Sequence, residues 1–171
     1  NMTGIQMILA LGAMILLTVV ISNVNKNSLL TEDVMYDSNF GITATSIASS
    51  IIEDASKKRY DNVFYEGDSI VTNVNTFTQA SDFGPDSGEV STDSKTFNDF
   101  DDYDGYQGIK NSIADFHFSC EVNYINPANP DIPTSSRSWH KKITVKVWSE
   151  SMKDTIVMSS IYSYWTDFGF N

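Results

Sequence analysis

The sequence predicts an α+β chain: a long N-terminal α-helix, apolar in its first half and amphipathic in its second, packed on an antiparallel β-sheet head domain. Three observations predict this. An uncharged apolar run opens the chain, apolar residues then recur at helical spacing, and the second half switches to period-two alternation.

Between Ile5 and Ile21 only Gln6 and Thr18 are polar, Gly12 is the one other interruption, and the first charged side chain is Lys26. A helix rises about 1.5 Å per residue, so about 20 residues cross about 30 Å of hydrocarbon. Apolar side chains cover every face here, unlike the single stripe of a surface helix. A secretory signal places basic residues ahead of its apolar region, and none precedes this one. The start at Asn1 leads to the expectation that a leader was removed before the apolar segment and that the mature chain keeps the segment. Residues 1–27 are read as one unit on this basis.

Ser22, Asn23, Asn25 and Asn27 close that unit. Asn and Ser favour caps and turns over helix interiors, so a bend or unwound joint is expected at these four residues. Helical spacing resumes with Phe40, Ala44, Ile47, Ala48, Ile51 and Ala55. Glu53 with Lys57 and Asp54 with Lys58 are i,i+4 pairs in the favourable order. Lys57-Lys58-Arg59 suits the negative end of a helix dipole. Gly41 is the weak point, at about 1 kcal/mol relative to Ala. An amphipathic helix over about 28–60 thus opens a head domain of residues 28–171.

Residues 66–105 hold ten acids, one base (Lys95) and many Ser and Thr, which predicts a solvated surface loop region. An antiparallel sheet is expected over about 115–165. Phe116, Phe118, Cys120, Val122 and Tyr124 alternate with polar residues, as do Ile143, Val145 and Val147. Thr155–Trp165 reads as a third strand, and Ser69–Phe77 as a weaker one at an edge. Asn126–Asp131 with Pro133 reads as a long turn. Turn-length connections make successive strands antiparallel, and the amphipathic helix is the cover for their apolar face.

Charge and composition exclude several functions. Acids outnumber bases by 22 to 11, for a net charge of −11. Nucleic-acid affinity rests on Lys and Arg neutralising phosphates, so no nucleic-acid partner is expected. Cys120 is the single cysteine, so neither an intrachain disulfide nor a thiolate metal cluster can form; its inward strand phase reads as a buried structural thiol. His117 and His140 lack partners at metal-ligand spacing and read as surface residues. No nucleophile–base–oxyanion pattern and no phosphate-binding glycine motif is present, so an enzyme is not expected. Tyr162, Tyr164, Trp165, Phe168 and Phe170 read as packing residues. The Ser/Thr-rich stretch from Thr72 to Thr96 could carry O-linked sugar.

Asp99, Asp101, Asp102 and Asp104 form the one candidate metal set, for a weak Ca²⁺ site; no other cofactor is expected. Ca²⁺ takes six to eight oxygens, but the spacing is not that of an EF-hand, because Phe100 and Asn111 fall where acids are needed. The competing reading is a solvated acidic turn with Tyr103 and Tyr106 packed beneath.

A retained apolar helix at the N-terminus, continuing into an amphipathic half that packs on an antiparallel sheet, resembles the type IV pilin superfamily of pilins, minor pilins and pseudopilins. The resemblance is specific in sequence only over Gly4–Ile21. It implies a leader peptidase that cuts ahead of the apolar segment and a subunit held in the cytoplasmic membrane. Inner-membrane assembly machinery then extracts the subunit into a homopolymeric, extracellular helical filament. In that reading Ile5, Gln6, Ile8, Leu9, Leu11, Gly12, Ile15, Leu16, Val19 and Val20 form the filament core. Gly4, Ala10, Gly12 and Ala13 permit close approach of neighbouring helices. Two departures stand out. Many bacterial members carry a glutamate where this chain has Ile5, leaving only the Gln6 amide nearby. Many also have a C-terminal disulfide loop, which one cysteine cannot form. A second expectation from the same residues is a monomeric, membrane-anchored extracytoplasmic binding or sensor domain, with the acidic loop as its recognition surface.

Overall fold

The computed structural model describes residues 3–62 and 70–168, the side chains of residues 30–33, 167 and 168 excepted. Helix α1 spans Gly4–Ser56. The sheet comprises β1 (Gln107–Asn111), β2 (Asp115–Asn126), β3 (Asn129–Thr134), β4 (His140–Trp148) and β5 (Ile156–Ser163). The fold is α+β, with one five-stranded antiparallel sheet. The chain divides into two compact units, residues 1–39 and 40–171.

α1 is helical through Ser22, Asn23, Asn25 and Asn27, so no unwound joint interrupts it there. Each Asn or Ser costs at most about 0.7 kcal/mol in a helix interior. Neither Gly nor Pro lies between Gly12 and Gly41 to break the run. The helix stops at Ser56, a turn earlier than expected, and Lys58 serves a different partner. Its ammonium donates to the carbonyls of Phe97 at 2.7 Å and Ser94 at 3.2 Å, while Asp54 accepts from the Tyr103 hydroxyl at 2.8 Å.

Within the second unit, Ala44, Ala48, Ile51 and Ala55 form the buried stripe of α1. Three of the four are alanine, so the helix backbone lies close against the residues it covers. Phe116, Phe118, Cys120, Val122 and Tyr124 of β2 and Ile143, Val145 and Val147 of β4 complete that core. Phe40, at the start of the unit, sets its ring 6.2 Å from that of Phe116.

β2 is the central strand. One edge pairs with β4 from His117↔Trp148 to Tyr124↔Lys141. The other is shared, with β1 along residues 115–119 and β3 along residues 124–126. Two of these strands lie where none was expected. β3 occupies the segment read as a long turn. Asn126 folds back on itself, its side chain accepting from the Ala128 N–H at 2.9 Å, and the chain reverses over Pro127-Ala128. Pro130 and Pro133 are tolerated because β3 has a free edge. β1 is short and mostly exposed. Its Gly108 lies under Phe118, whose ring would sit 3.0 Å from a Cβ at that position. Conversely, Ile70–Phe77 forms no strand, and Ser69 lies outside the described residues. Asn73 caps a 3₁₀ turn over Val74–Thr76 by accepting from the Asn75 N–H, a local bond that competes with extended pairing.

Replacing Ala48, fully buried, by Leu should overpack the space under α1 and lower stability by about 1–3 kcal/mol. The check is the midpoint of urea unfolding of the full chain in detergent, followed by tryptophan fluorescence.

Candidate functional site

Two features of the structure are open to a functional reading: the exposed apolar half of α1, and a buried ion cluster in the head.

Every described residue from Thr3 to Leu29 is exposed. Ile5, Ile8, Leu9, Leu11, Ile15, Leu16, Val19 and Val20 are between 51% and 73% accessible. A Cβ added at Gly4 or Gly12 would meet nothing. By length and composition α1 is the one helix among the described residues suited to crossing a membrane. The two polar side chains of the run each make a local hydrogen bond. Gln6 Oε1 accepts from the Thr3 N–H at 3.0 Å, and the Gln6 N–H donates to the Thr3 carbonyl at 2.9 Å. Thr3-Gly4-Ile5-Gln6 therefore has the spacing of a capping box, the polar N-terminal signature of a helix. Gln6 serves this end of α1, a role readable from the T-x-x-Q spacing but not anticipated. The Thr18 hydroxyl donates to the Met14 carbonyl at 2.8 Å, one turn back. A polar group bonded within its own helix can face an apolar surrounding without the cost of an unmade hydrogen bond.

The acidic stretch differs most from expectation. Asp99, Asp101 and Asp102 are buried, with at most 3% exposure. Asp99 Oδ1 accepts from the N–H groups of Asp101 (3.0 Å) and Asp102 (3.3 Å). Asp102 Oδ2 accepts from those of Asn98 and Asp99, both at 2.9 Å. Asp104 Oδ1 accepts from Val122 N–H at 2.8 Å. The stretch folds on its own carboxylates, and Gly105, with φ +73°, turns the chain out toward β1. The carboxylates expected to face Ca²⁺ are taken up by backbone N–H groups, by one another and, for Asp101, by a lysine. Among the described residues no three His, Cys, Asp or Glu side chains group in a way that could hold a metal ion. Tyr103 and Tyr106 are packed in the core, as the competing reading had them.

The cation of this region is Lys141, wholly buried on β4. Its ammonium bonds to Asp101 Oδ1, to Asp61 Oδ2 at 3.0 Å and to the Tyr60 carbonyl at 2.7 Å. The rings of Tyr60, Phe83 and Tyr124 surround it, with centroids 4.5, 5.1 and 5.5 Å away. Asp61 is fixed in turn by the Thr78 N–H (3.0 Å) and hydroxyl (3.2 Å). Burial draws the lysine pKa down, but the Asp101 and Asp61 carboxylates outweigh it and hold it above its ordinary value. Burial, reinforced by Asp101, pushes Asp99 up to about 10, so this carboxyl keeps its proton at neutral pH. Neither Asp61 nor Lys141 was singled out in the sequence. The signal for Lys141 was present: it shares the inward phase of Ile143, Val145 and Val147.

The remaining candidates are structural. Cys120 is buried, and desolvation raises its thiol to about 12. His117 stacks on Trp148 on the outer sheet face, and His140 is half-buried, which lowers its pKa. Tyr162 and Tyr164 are buried, and Trp165 stacks against Trp139. The Phe168 side chain and Phe170 lie outside the described residues.

No protein-family model, curated protein or solved structure matches this chain. The arrangement itself, a long N-terminal apolar helix whose second half packs on an antiparallel sheet, is type IV pilin-like.

Burial raises Asp102 from 3.8 to about 7, with its two backbone N–H bonds opposing and Glu89 adding to the rise. A raised carboxyl pKa means that the folded state binds the proton more tightly than the unfolded state. Its contribution to stability is complete below pH 3.8 and is lost as pH rises through about 7; Asp99, shifted the same way, extends the loss to about 10. Thermal unfolding midpoints should therefore fall across this window, and Asp102→Asn should flatten the lower part of the slope.

Proposed function

We propose that the chain is a structural subunit of a type IV pilus-like extracellular filament, polymerising through residues 5–21. One observation carries this reading. The longest apolar surface of the chain is fully exposed, is polar nowhere except at two locally bonded side chains, and is continuous with a helix half that builds the head. Leaving such a surface in water is costly, at about 25 cal/mol per Å². Lipid relieves that cost before assembly, and the same helix of neighbouring copies relieves it afterwards. A head-to-tail contact that does not close on itself generates an open helical filament. Gly4, Ala10, Gly12 and Ala13 give neighbouring helices room for close approach. In this reading the subunit is held in the cytoplasmic membrane, processed by a leader peptidase and passed to inner-membrane assembly machinery.

The polar end of α1 departs from the usual pilin pattern. Gln6 stands near the position where many bacterial pilins carry a glutamate, and here its carbonyl oxygen caps its own helix. Assembly of this chain thus relies on apolar packing and not on a charge pair at that position.

Electron microscopy of material sheared from producing cells, with the subunit identified by mass, is the direct test. Filaments built of this chain support the proposal. The chain found only in the membrane fraction favours an anchored extracytoplasmic binding domain. A charge at the centre of an apolar helix costs about 2.5–3.5 kcal/mol on insertion. Leu16→Asp should abolish filaments while the near-UV circular dichroism of the head is kept, and wild-type filaments from this variant would count against the reading.

A further inference from the structure

The buried cluster holds the reactants of an amide bond. Lys141 Nζ is in contact with Asp101 Oδ1, and the two side chains are 0% and 4% exposed. The rings of Tyr60, Phe83 and Tyr124 close the space around the nitrogen. Asp99 is hydrogen-bonded to Asp101, side chain to side chain. Asp61 Oδ2 approaches the nitrogen separately, at 3.0 Å. An amine and a carboxyl are thus held together away from water, beside one group that can take a proton and one that can give it. Fixed proximity of this kind replaces the entropy of encounter. Flanking acids supply the proton transfers that acyl substitution needs.

We infer that Lys141 and Asp101 join in an intramolecular isopeptide bond, stapling β4 to the acidic loop ahead of β1. Asp61 takes a proton from the ammonium and frees the Nζ lone pair. Asp99 protonates Asp101, making its Cγ electrophilic. Nζ attacks Cγ, the N–C bond forms, and a C–O bond of Asp101 breaks. Of the three ammonium protons, one stays on the amide nitrogen, one rests on Asp61 and one joins the released oxygen, which departs as water with the proton given by Asp99. Passage of a proton from Asp61 to Asp99 then restores both acids; the net change is ammonium plus carboxylate to amide plus water, and nothing is oxidised or reduced. The amide N–H keeps a ready acceptor in the Tyr60 carbonyl, 2.7 Å from Nζ.

The geometry also selects between the two acids that touch the lysine. Both oxygens of Asp61 accept from Thr78, its N–H at 3.0 Å and its hydroxyl at 3.2 Å. Both oxygens are thereby engaged as acceptors, with Oδ2 also taking the Lys141 ammonium, and neither is placed to leave. Asp101 is the acid with a proton-bearing neighbour, so Asp101 is the acyl partner and Asp61 the base. The bond would close a loop between residues 40 apart, in a chain whose single cysteine rules out a disulfide staple. This inference does not depend on filament formation.

The test is intact mass spectrometry of the full chain in detergent, followed by peptide mapping. The folded wild-type protein should be lighter than its sequence by one water, and digestion should yield a branched peptide joining Lys141 to Asp101. Lys141→Arg should have its full sequence mass. Asp99→Asn keeps an Oδ1 acceptor for the Asp101 and Asp102 N–H groups. It should retain the wild-type circular dichroism while most of its molecules lose the deficit. A full sequence mass for folded wild-type protein overturns the inference and leaves an ion pair only. A deficit that maps to a succinimide at Asp104-Gly105, or that persists in Lys141→Arg, overturns it equally.

Discussion

The head is organised around one buried ammonium. Lys141 reaches Tyr60 and Asp61, just beyond α1, and Asp101 in the acidic loop, partners 81, 80 and 40 residues away in sequence. A buried ion group is a weak source of net stability, because desolvation offsets much of the attraction. What it determines is position. If β4 slipped one residue against β2, every side chain of β4 would change face. His140, Lys142, Thr144 and Lys146 would then turn inward, and Asp61 and Asp101 would lose their counter-charge. The acids therefore penalise wrong registers more than they strengthen the right one.

The same logic explains how residues 70–105 hold together with no strand and only short 3₁₀ turns. Buried backbone groups need partners whether or not regular structure supplies them. Here carboxylates and phenols supply them. Asp99, Asp102 and Asp104 accept from backbone N–H groups. The hydroxyls of Tyr60 and Tyr124 donate to the carbonyls of Ser138 and Thr78, and that of Tyr164 accepts from the Val71 N–H, each at 2.7 Å. The rings carrying those hydroxyls pack against other rings of the core: Tyr60 lies 5.0 Å from Phe77 and 5.8 Å from Tyr164, and Tyr124 lies 4.9 Å from Phe83. Each tyrosine thus gives the core its ring and the coil its oxygen.

The parts of this design that were legible in the sequence are those set by local period. The apolar run, the Ala44–Ala48–Ile51–Ala55 stripe and the alternation in β2 and β4 each declare a face within a few residues. β1 and β3 were not legible. Gln107–Asn111 has one large apolar residue, Ile109, itself 55% exposed, and β3 contains two prolines; both exist as strands because β2 offers them an edge. The acidic stretch was misread as solvated because composition reports what a side chain prefers in isolation. The partners that make Asp99, Asp101 and Asp102 tolerable inside are their own backbone and a lysine 40 residues on, and only the latter left a trace, in the phase of β4. The joint expected at Ser22–Asn27 rested on propensity alone, and the helix runs through it, with no Gly or Pro between Gly12 and Gly41 to break it.

The described core falls on one stretch of the chain. The buried stripe of α1 begins at Ala44, and all the described core lies within residues 40–168. Residues 3–29 contribute no buried side chain. The described core of the head therefore draws nothing from residues 3–29, and their composition is not set by packing in the head. α1 itself is uninterrupted from Gly4 to Ser56. In the proposed filament, tension on a subunit would enter the head along α1. The first side chains to feel it are Phe40, Ala44 and Ala48, packed against β2 and β4, with the Lys141 cluster beyond them in the same core. With a single cysteine and so no intrachain disulfide, resistance to such a load would fall on the interactions that tie the residues just beyond α1 to β4 and to the acidic loop, and Lys141, bonded to Tyr60, Asp61 and Asp101, is the residue where those three meet.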